Sequence, residues 1–358
     1  MADKTDFLVS RTDINTHQIA TESLPELKDG EALMKIDHFS FTANNITYAA
    51  FGDAMNYWDF FPAAEGWGSV PVWGFADIVQ SRADGVSVGE RFYGYFPMST
   101  HLKVSPAKLS PAGFFDGAPH RQHLSAIYNF YANTKTDPTY SKDQEALRMI
   151  FQPLFMTSFL IDDFLEESAF FGAEQIILSS ASSKTAYGLA FLLAARTGVK
   201  VVGLTSAGNM DFVCSMGSYG TVVNYDQIAT LDASVPSVYV DMAGSGAVRS
   251  AVHNHFFRTL KYSCSVGASH WDQMGANDTL PGPKPTLFFA PARGQKRTAD
   301  WGAGGLQKRS ADAWGQFIEA AKSWTEVIES NGSTAIEAIY DDTLNGHTSP
   351  KNGHILSF

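Results

Sequence analysis

The amino-acid sequence predicts an α/β protein with two domains, a β-rich domain followed by a doubly wound parallel sheet. The chain has 358 residues, a usual length for about two domains. Up to about residue 110 the apolar segments are short, alternating and separated by glycine turns, as strands are. From about residue 170, apolar strands alternate with helical stretches, which indicates a parallel sheet covered on both faces.

The composition is that of a folded protein with an acidic surface. Apolar residues make up 44% of the chain and charged residues 18%, which is enough apolar material for a large core. The 37 acidic residues outnumber the 26 basic ones, and the net charge is −11. This balance argues against a nucleic-acid partner and against an anionic membrane surface.

Cysteine content and apolar run length exclude further classes of protein. Cys214 and Cys264 are too few for a disulfide framework or a structural zinc lobe, so we expect two reduced thiols. No run approaches 18 apolar residues, and the first residues contain no apolar signal segment. The sequence therefore predicts a soluble, cytoplasmic protein with no membrane partner.

The first domain is predicted to cover residues 1–155. Residues 31–38 and 91–96 are predicted strands, and an aromatic segment at residues 57–62 lies between them, followed by Trp67 and Trp73. Such aromatic clusters usually form core, and the lining of an apolar pocket is the alternative. Residues 115–150 break the pattern, with a helical start near His120, and are predicted to form an inserted arm or lid.

The second domain is predicted to cover residues 156–290. Helices are expected at residues 185–197 and 209–216, each ending at a glycine. Six apolar strands are expected at residues 175–180, 199–205, 219–225, 238–243, 261–266 and 286–290.

Residues 291–358 are predicted to return to the first domain. A basic loop at residues 293–309 is expected to close near a cofactor or an anionic substrate group, with a solvated surface loop as the alternative. A helix at residues 311–331 and strands at 336–340 and 354–358 complete this prediction.

A candidate phosphate site follows the first strand of the second domain. The strand at residues 176–178 leads into a small polar turn and then a helix, whose free N–H groups and dipole favour an anion. The usual Gly-x-Gly-x-x-Gly is absent, and hydroxyls and one ammonium group take its place. The alternative is a serine-capped helix with a solvated lysine. The candidate phosphate ligands are Ser180, Ser182, Ser183, Lys184 and Thr185.

The end of the second strand discriminates between the two nicotinamide cofactors. NAD sites place Asp or Glu there, but this strand ends in Thr205, Ser206 and, after a short turn, Asn209. The first carboxylate is that of Asp211, which the following helix should carry away. Hydroxyl and amide groups suit a 2′-phosphate, so the sequence favours NADPH over NADH; the alternative is that no dinucleotide binds.

The order of these pieces resembles the medium-chain dehydrogenase/reductase superfamily, and the zinc-free quinone oxidoreductase branch in particular. The resemblance covers most of the chain and implies a GroES-like domain joined to a Rossmann domain. Each match is short, and their collinear order is the specific part. The segments that resemble the branch are residues 27–35, 43–48 (Ala-Asn-Asn-Ile-Thr-Tyr), 88–94, 203–206, 222–225, 266–269 and 346–356.

Further cofactor residues follow from the resemblance. It places Thr157 against the nicotinamide, at the start of an interdomain helix, and Tyr225 beside the adenosine phosphate. Val266 and Gly267 fall on the nicotinamide-side strand end. The apolar strand at residues 286–290, if it is a sheet edge, invites pairing with its symmetry mate, so we expect a homodimer.

Departures from the zinc-dependent members argue against a catalytic metal. Their cysteine has no counterpart before Asn45, and their Gly-His-Glu is replaced in residues 72–75 (Val-Trp-Gly-Phe). His253 and His255 would face apart on a helix, while His120 and His123 have no further ligand nearby.

Carbonyl activation without zinc needs a hydrogen-bond donor. Tyr48 is the first candidate, Asn45 in the same segment is a further catalytic candidate, and Tyr57 is the reserve; the alternative for Tyr48 is a buried tyrosine satisfied by the backbone. The resulting hypothesis is an NADPH-dependent reductase of an activated double bond or carbonyl (an enone, quinone or aldehyde) on a small apolar or aromatic substrate. The competing hypothesis is an NADP(H)-binding sensor or degenerate paralogue without hydride chemistry.

Overall fold

The computed structural model describes residues 3–267, 280–302 and 304–358. It divides into two compact units. Unit 1 comprises residues 1–150 and 325–358, and unit 2 comprises residues 151–324. The strands are β1 (Asp3–Ser10), β2 (His17–Ser23), β3 (Ala32–Phe41), β4 (Trp67–Gly68), β5 (Pro71–Ser81), β6 (Arg91–Pro97), β7 (His101–Val104), β8 (Pro106–Ser110), β9 (Gly113–Asp116), β10 (Phe130–Asn133), β11 (Gln175–Leu178), β12 (Lys200–Thr205), β13 (Thr221–Asn224), β14 (Ser237–Asp241), β15 (Leu260–Ser265), β16 (Thr286–Leu287), β17 (Glu326–Asn331) and β18 (Asn352–Ser357).

Eight α-helices and several short 3₁₀ helices connect these strands in the described part of the chain. The α-helices are α1 (Ala43–Ala50), α2 (Glu145–Glu167), α3 (Lys184–Ala194), α4 (Met210–Ser215), α5 (Gly246–His255), α6 (Ala290–Trp301), α7 (Gly305–Trp324) and α8 (Ser333–Leu344). Within the described residues, no helix is long and apolar enough to cross a membrane.

Unit 1 is built on β-sheets, as the sequence predicts. A three-stranded sheet has the order β2-β1-β4, and a larger sheet has the order β17-β18-β3-β5-β6-β10-β9-β8, with β7 also pairing with β3. Alternating residues of these strands fill one core, to which α8 contributes Ile336 and Tyr340. The Tyr340 hydroxyl donates a hydrogen bond to the Ile14 carbonyl at 2.7 Å, which satisfies its polar atom inside that core.

Residues 115–150 do not form an arm or lid, which corrects the prediction. β10 lies inside the large sheet, paired antiparallel with β6 on one side and β9 on the other. Tyr131 of β10 is fully buried, and so is Arg121 of the 3₁₀ helix Pro119–Arg121. The Arg121 guanidinium donates to the Phe60 carbonyl and the Tyr131 hydroxyl and lies 3.3 Å from Asp116. A short strand and a buried cation do not produce the apolar periodicity that marks core in a sequence.

Unit 2 contains a six-stranded, all-parallel sheet with the order β13-β12-β11-β14-β15-β16. Numbered within the unit, this is 3-2-1-4-5-6, the Rossmann order. β11 and β14 are buried along their whole length, as expected for central strands covered on both faces. The predicted fold class, a β-rich domain plus a doubly wound parallel sheet, is confirmed.

The C-terminal prediction is wrong in three places. The basic loop at residues 293–309 is mostly helical, within α6 and α7. The predicted helix at residues 311–331 ends at Trp324 and is followed by β17, and residues 336–340 belong to α8. Ile336 and Tyr340 are both buried while Ala338 between them is exposed, which is the pattern of a helix face, since in a strand all three would share one face. The chain therefore returns to unit 1 at Thr325 rather than at residue 291.

The basic residues of α6 are used in ion pairs within unit 2. Arg293 and Arg297 both donate to the Asp163 carboxylate of α2, each at 2.7 Å, and both are buried. Lys296 reaches Glu167 of α2 at 2.9 Å. These pairs fasten α6 to α2, so the predicted closure of this segment on a cofactor or substrate has no support from its observed contacts.

A charged cluster fastens the start of α2 to the sheet of unit 1. His38 of β3 lies 2.8 Å from Asp37 and 3.1 Å from Glu145, and the Arg91 guanidinium contacts both carboxylates at 2.7 and 2.8 Å. Burial alone would lower the pKa of His38, but its hydrogen bonds to Asp37 and Glu145 raise that pKa to about 9. Hydrogen bonds from Arg91, His38 and Tyr140 outweigh burial and lower the pKa of Glu145 to about 2.

This cluster predicts that unfolding depends on pH above neutrality. The folded-state pKa of His38 is raised above the unfolded value of 6.5, so its stabilisation is complete below pH 6.5 and lost as the pH rises through about 9. We expect wild-type protein to lose about 3 kcal/mol of unfolding free energy over that interval. Urea denaturation of wild type, His38→Gln and a control, the exposed His347→Gln, measures this. A His38→Gln variant that kept the wild-type slope would contradict it.

Candidate functional site

The strand order of unit 2 reverses between β11 and β14, and ligands of doubly wound sheets bind at the carboxyl ends of the strands at such a point. Ser179 follows β11, and Asp241 ends β14. The Ser179 hydroxyl donates to Asp241 Oδ1 at 2.9 Å and accepts from the backbone N–H groups of Met242 and Ala243 at 3.0 and 3.1 Å. One serine thereby joins the ends of the two strands.

Asp241 is the second part of this junction. Its carboxylate accepts from the backbone N–H of Gly244 at 3.0 Å and from Arg249 Nε of α5 at 2.9 Å, and all of these groups are buried. A buried carboxylate bound by a hydroxyl, an amide and a guanidinium is fully compensated, so it fixes geometry rather than reacting. We call Ser179, Asp241 and Arg249 the switch-point lock; the sequence analysis missed it.

The predicted phosphate turn follows directly in the chain, since Ser180 comes after Ser179 of this lock. Ser180 has φ of 49°, in the left-handed region that favours glycine, and its N–H donates to the Tyr225 hydroxyl at 3.0 Å. The Tyr219 hydroxyl donates to the Ala181 carbonyl at 2.8 Å. Tyr219 and Tyr225, on either side of β13, thus hold this serine turn in a backbone conformation that glycine adopts without strain.

Helix α3 begins at the end of this turn, as predicted. Ser183 is its N-cap, and its hydroxyl accepts from the N–H of Ala186. Lys184 and Thr185 are the first two helical residues and are half-buried. The Asn209 side chain donates to the Ser182 hydroxyl at 3.1 Å, which brings the ends of β11 and β12 together. The structure therefore groups Ser180, Ser182, Ser183, Lys184, Thr185, Asn209 and Tyr225 at one sheet edge.

Lys184 has an unusual protonation equilibrium. Burial lowers the pKa of its ammonium to about 8. It sits at a helix N-terminus, where the macrodipole also disfavours a cation and favours an anion. A bound phosphate would stabilise the charged form of Lys184 and use the dipole at the same time.

The end of β12 carries hydroxyl groups rather than a carboxylate. Thr205 is buried, and its hydroxyl has no hydrogen-bond partner among the described residues. Ser206 is exposed at the start of the following 3₁₀ turn, and Asp211 is exposed in the first turn of α4. An unpartnered buried hydroxyl beside an exposed one is a donor set that suits a polar ligand.

Val266 and Gly267 follow β15 and bind to the same junction. Their N–H groups donate to the Asp241 carbonyl at 2.9 and 3.2 Å. A Cβ on Gly267 would lie 2.6 Å from the Met242 carbonyl oxygen, so only glycine permits this approach. The next predicted residues, 268 and 269, lie outside the described residues.

Thr157 lies in the interior of α2 rather than at the start of a helix, which corrects that expectation. Its neighbour Ser158 makes the structural contact, donating to the Thr185 carbonyl of α3 at 2.8 Å. A Cβ on Gly188 would lie 2.9 Å from the Ser158 hydroxyl, so the two helices need both small residues. Thr157 as a cofactor ligand stays a prediction.

The predicted catalytic residues lie in unit 1. Tyr48 of α1 and Tyr57 of the 3₁₀ helix Tyr57–Phe60 have ring centroids 4.5 Å apart. Asn45 is buried, accepts from the Thr42 N–H at 2.8 Å and donates to the Pro71 carbonyl at 2.8 Å. These bonds cap α1 and hold it to β5, so they give Asn45 a structural role; its catalytic role stays a prediction without a supporting contact.

Tyr48 and Tyr57 belong to a larger aromatic cluster. Tyr128, from the segment predicted as an arm, has its ring centroid 6.2 Å from Tyr57, 4.7 Å from Tyr95 and 6.1 Å from Trp73. The sequence analysis missed Tyr128 because eighty residues separate it from Tyr48 and a single tyrosine in a polar segment is no signal. The aromatic prediction is correct in part, since Trp58, Phe60 and Phe61 are core while Tyr57 and Trp73 are half-buried.

One group of potential metal ligands occurs among the described residues, and it is the cluster of Asp37, His38 and Glu145. The Arg91 guanidinium contacts both carboxylates. The positively charged Arg91 side chain already compensates these carboxylates, and it would repel a metal ion. The cluster therefore does not fit the chemistry of a metal site. Both ring nitrogens of His253 have hydrogen-bond partners: Nδ1 lies 2.9 Å from the Pro281 carbonyl and Nε2 lies 2.9 Å from the Ser263 hydroxyl.

The two-unit architecture, with a sheet-rich unit and a Rossmann unit, is the fold of the medium-chain dehydrogenase/reductase superfamily, and it is shared with quinone oxidoreductases and enoyl reductases. The predicted resemblance is confirmed at the level of the fold. By sequence, the chain belongs to the family described as "Protein of unknown function (DUF2855)", whose profile matches residues 39–349. No curated protein matches the sequence.

Three solved structures illustrate the likeness. CurA from Vibrio vulnificus is 12% identical with a TM-score of 0.66, covering 99% of this chain and 98% of that one. A putative NADPH:quinone reductase from Mesorhizobium loti is also 12% identical, with a TM-score of 0.65 and the same coverage. A mutant enoyl thioester reductase from Candida tropicalis is 10% identical with a TM-score of 0.59, covering all of both chains.

The switch-point lock predicts a large effect from a small change. Ser179→Ala removes one donor and one acceptor from a buried network and leaves Asp241 and two N–H groups short of a partner. We expect a loss of about 1–3 kcal/mol in unfolding free energy, measured by urea denaturation. Ser206→Ala, an exposed serine at the neighbouring strand end, is the control and should be within about 0.5 kcal/mol of wild type. Equal stability of the two variants would show that the lock does not hold the strand ends.

Proposed function

We propose that this protein is an NADPH-dependent reductase of an activated double bond or carbonyl on an apolar or aromatic substrate. The observation that carries the proposal is the phosphate-type turn at the switch point of unit 2. It combines a left-handed Ser180, a capped helix N-terminus and Lys184, and no carboxylate ends β12. That donor set fits a dinucleotide with a 2′-phosphate better than one with a free ribose diol.

The nature of the structural neighbours supports this choice of cofactor. CurA was also solved in complex with NADPH, and another similar structure, the yhdH oxidoreductase from Salmonella enterica, in complex with NADP. A bound NADPH supplies a hydride, while the protein supplies orientation and electrostatics. We assign Ser180, Ser182, Ser183, Lys184 and Thr185 to the phosphates, and Thr205, Ser206 and Asn209 to the adenosine side. Tyr225, Thr157, Val266 and Gly267 complete the proposed cofactor ligands.

Unit 1 supplies the proposed proton donor and the substrate preference. Tyr48 carries a neutral phenol at physiological pH, since burial raises the pKa of its hydroxyl well above the ordinary value. A neutral phenol can donate a hydrogen bond to a developing enolate or alkoxide and then transfer its proton. The half-buried rings of Tyr57, Trp73 and Tyr128 nearby favour an apolar or aromatic substrate. We propose that no metal takes part.

The proposed function is tested by cofactor oxidation against a panel of enones, quinones and aldehydes. We expect the absorbance of NADPH to fall with at least one class, and NADH to be used less well. Calorimetry of NADPH binding to the same preparation accompanies the panel. Tight NADPH binding with no turnover on any compound would contradict a reductase and support an NADP(H)-binding sensor. Absence of binding would contradict both.

Lys184 gives the cofactor proposal a pH signature. Because burial lowers its pKa to about 8, the charged form is lost as the pH rises through that value, and NADPH affinity should fall with it. Lys184→Ala should weaken NADPH binding about ten- to a hundredfold at neutral pH, the worth of one charge-assisted hydrogen bond. Lys184→Arg, whose charge persists, should bind without the pH dependence. Calorimetry across pH 7–9 checks this.

The matched control is Lys200→Ala, at the opposite end of β12, which is exposed and should bind NADPH as wild type does. Unchanged affinity in Lys184→Ala would remove the serine–lysine turn from the phosphate site.

We propose further that the protein is a homodimer through the edge of the unit 2 sheet. β16 pairs with β15 on one side and is the last strand in the order; Leu287, its last residue, and Phe289, two residues further on, are 73% and 53% exposed. Exposed apolar side chains on an open strand edge favour pairing with a second copy. Light scattering at micromolar concentration should give a dimer for wild type and a monomer for Leu287→Lys. A monomeric wild type would refute the proposal.

A further inference from the structure

One face of β6 carries two tyrosine hydroxyls that have no hydrogen-bond partner within the described part of the chain. Tyr93 and Tyr95 are two residues apart in this strand, so their side chains extend from the same face of the sheet. The two residues are buried, with 6% and 0% of their surface exposed, and their hydroxyl oxygens are out of contact with solvent. The fold thus leaves two neighbouring donors on this face without an acceptor.

These two hydroxyls oppose folding, because each gives up its hydrogen bonds to water and gains none inside the protein. The other face of the same strand shows the usual arrangement, since Phe92 and Phe96 lie there in the core of unit 1. A phenylalanine at position 93 or 95 would fill nearly the same space without an unpaired polar atom. The hydroxyls of Tyr93 and Tyr95 therefore do not serve the stability of unit 1, and an acceptor from outside the chain would satisfy them.

The same face belongs to the aromatic cluster that contains the proposed proton donor, Tyr48. The Tyr95 ring centroid lies 5.7 Å from that of Tyr48 and 5.2 Å from that of Trp73, the residue opposite Tyr95 on β5. The Tyr93 ring stacks on Trp73, with centroids 5.5 Å apart and ring planes inclined by 23°. Both unpaired phenols therefore share one set of apolar neighbours with the group that is proposed to protonate the substrate.

Half-buried rings cover Tyr95. Its ring centroid lies 4.7 Å from that of Tyr128, and Tyr128, like Trp73, is partly exposed. Tyr128 belongs to the three-residue 3₁₀ helix Ala126–Tyr128, which is not part of a sheet. Its neighbour in the chain, Ile127, is exposed, so an apolar molecule meets an apolar surface beside this ring.

We infer that Tyr93 and Tyr95 are specificity-determining residues, whose hydroxyls donate hydrogen bonds to a second oxygen of the substrate after the Tyr128 ring has turned aside. This inference rests on the proposed function, in which Tyr48 acts where the substrate is reduced. The substrate class is then narrower than enones, quinones and aldehydes in general. It carries two carbonyl oxygens, as a quinone or a cyclic enedione does.

A phenol suits this role chemically. Burial raises the pKa of the Tyr93 and Tyr95 hydroxyls well above the ordinary value, so both keep their protons and act as neutral donors. Each places one donor at the edge of an apolar ring, which matches a carbonyl oxygen on an apolar ring. A ligand with a single oxygen leaves the two donors unpaired, and a site that contains such donors binds it less tightly for that reason.

The first experiment needs neither substrate nor cofactor. Tyr93→Phe and Tyr95→Phe each remove an unpaired buried hydroxyl, so each should raise the melting temperature by about 2–4 °C. Tyr131→Phe is the matched control, because this buried hydroxyl donates to the Tyr95 carbonyl at 2.8 Å and accepts from Arg121 at 3.1 Å. It should lower the melting temperature. An unchanged or lower melting temperature in both test variants would show that buried water already satisfies the hydroxyls, and would overturn the inference.

The second experiment compares two ligands that differ by one carbonyl group. Isophorone is a cyclic enone, and 4-oxoisophorone is the same ring with a carbonyl in place of one methylene group. Ligand-observed NMR titration without cofactor, so that no turnover intervenes, should show about tenfold tighter binding of 4-oxoisophorone to wild type. The double variant Tyr93→Phe/Tyr95→Phe should lose this difference, and Tyr131→Phe should keep it. Equal affinities in wild type, or a difference that persists in the double variant, would overturn the inference.

Cofactor oxidation with the same two compounds separates this inference from the proposed function. Tyr95→Phe should raise KM for 4-oxoisophorone about tenfold and leave KM for isophorone unchanged, with NADPH affinity as in wild type. Turnover in which Tyr95→Phe changes both KM values alike would overturn the inference and leave the reductase standing. Selective binding of the two-carbonyl ligand without turnover of any panel compound would contradict the proposed function instead, and would leave the hydroxyl pair as a binding site.

Discussion

The buried hydrogen bond between Ser179 and Asp241 is the constraint on which the rest of unit 2 depends. It joins the carboxyl ends of β11 and β14 at the point where the strand order reverses. The Asp241 carbonyl also receives the two N–H groups that follow β15. One residue therefore sets the relative position of three strand ends. Because Arg249 pairs with the carboxylate inside the protein, Asp241 presents no uncompensated negative charge to an anionic ligand at this edge of the sheet.

The phosphate turn shows how a serine-rich sequence replaces a glycine-rich one. Ser180 occupies the backbone region where glycine is usual, and hydroxyl groups from Tyr225 and Tyr219 hold the turn from the third strand. A side chain in that region stores strain of about 1–2 kcal/mol, which the surrounding hydrogen bonds offset. The gain is a hydroxyl at a position where a glycine loop has none. The hydrogen bonds from neighbouring residues therefore make this turn rigid, whereas a glycine-rich turn is flexible because of its own residues.

Features with a local physical signature were predictable from the sequence. The Rossmann strands were predictable, because six apolar runs bounded by polar turns have few other interpretations. Ser183 as the cap of a helix was predictable as well. The positions of Arg121, Tyr128 and Arg293 were not, because each is determined by partners far away in the chain. Ile336 and Tyr340 were misassigned although their spacing is helical, since an apolar pair in a short segment fits either period.

The location of β10 has a consequence for protein engineering and for how such a family diverges. Because β10 lies between β6 and β9, shortening the chain between residues 117 and 134 would not trim an appendage. It would split one sheet into two, expose two unpaired strand edges and leave the cavity once filled by Tyr131 and Arg121. Such a deletion would favour aggregation through those edges, so we expect natural variation in length to be confined to the surface turns on either side of this strand.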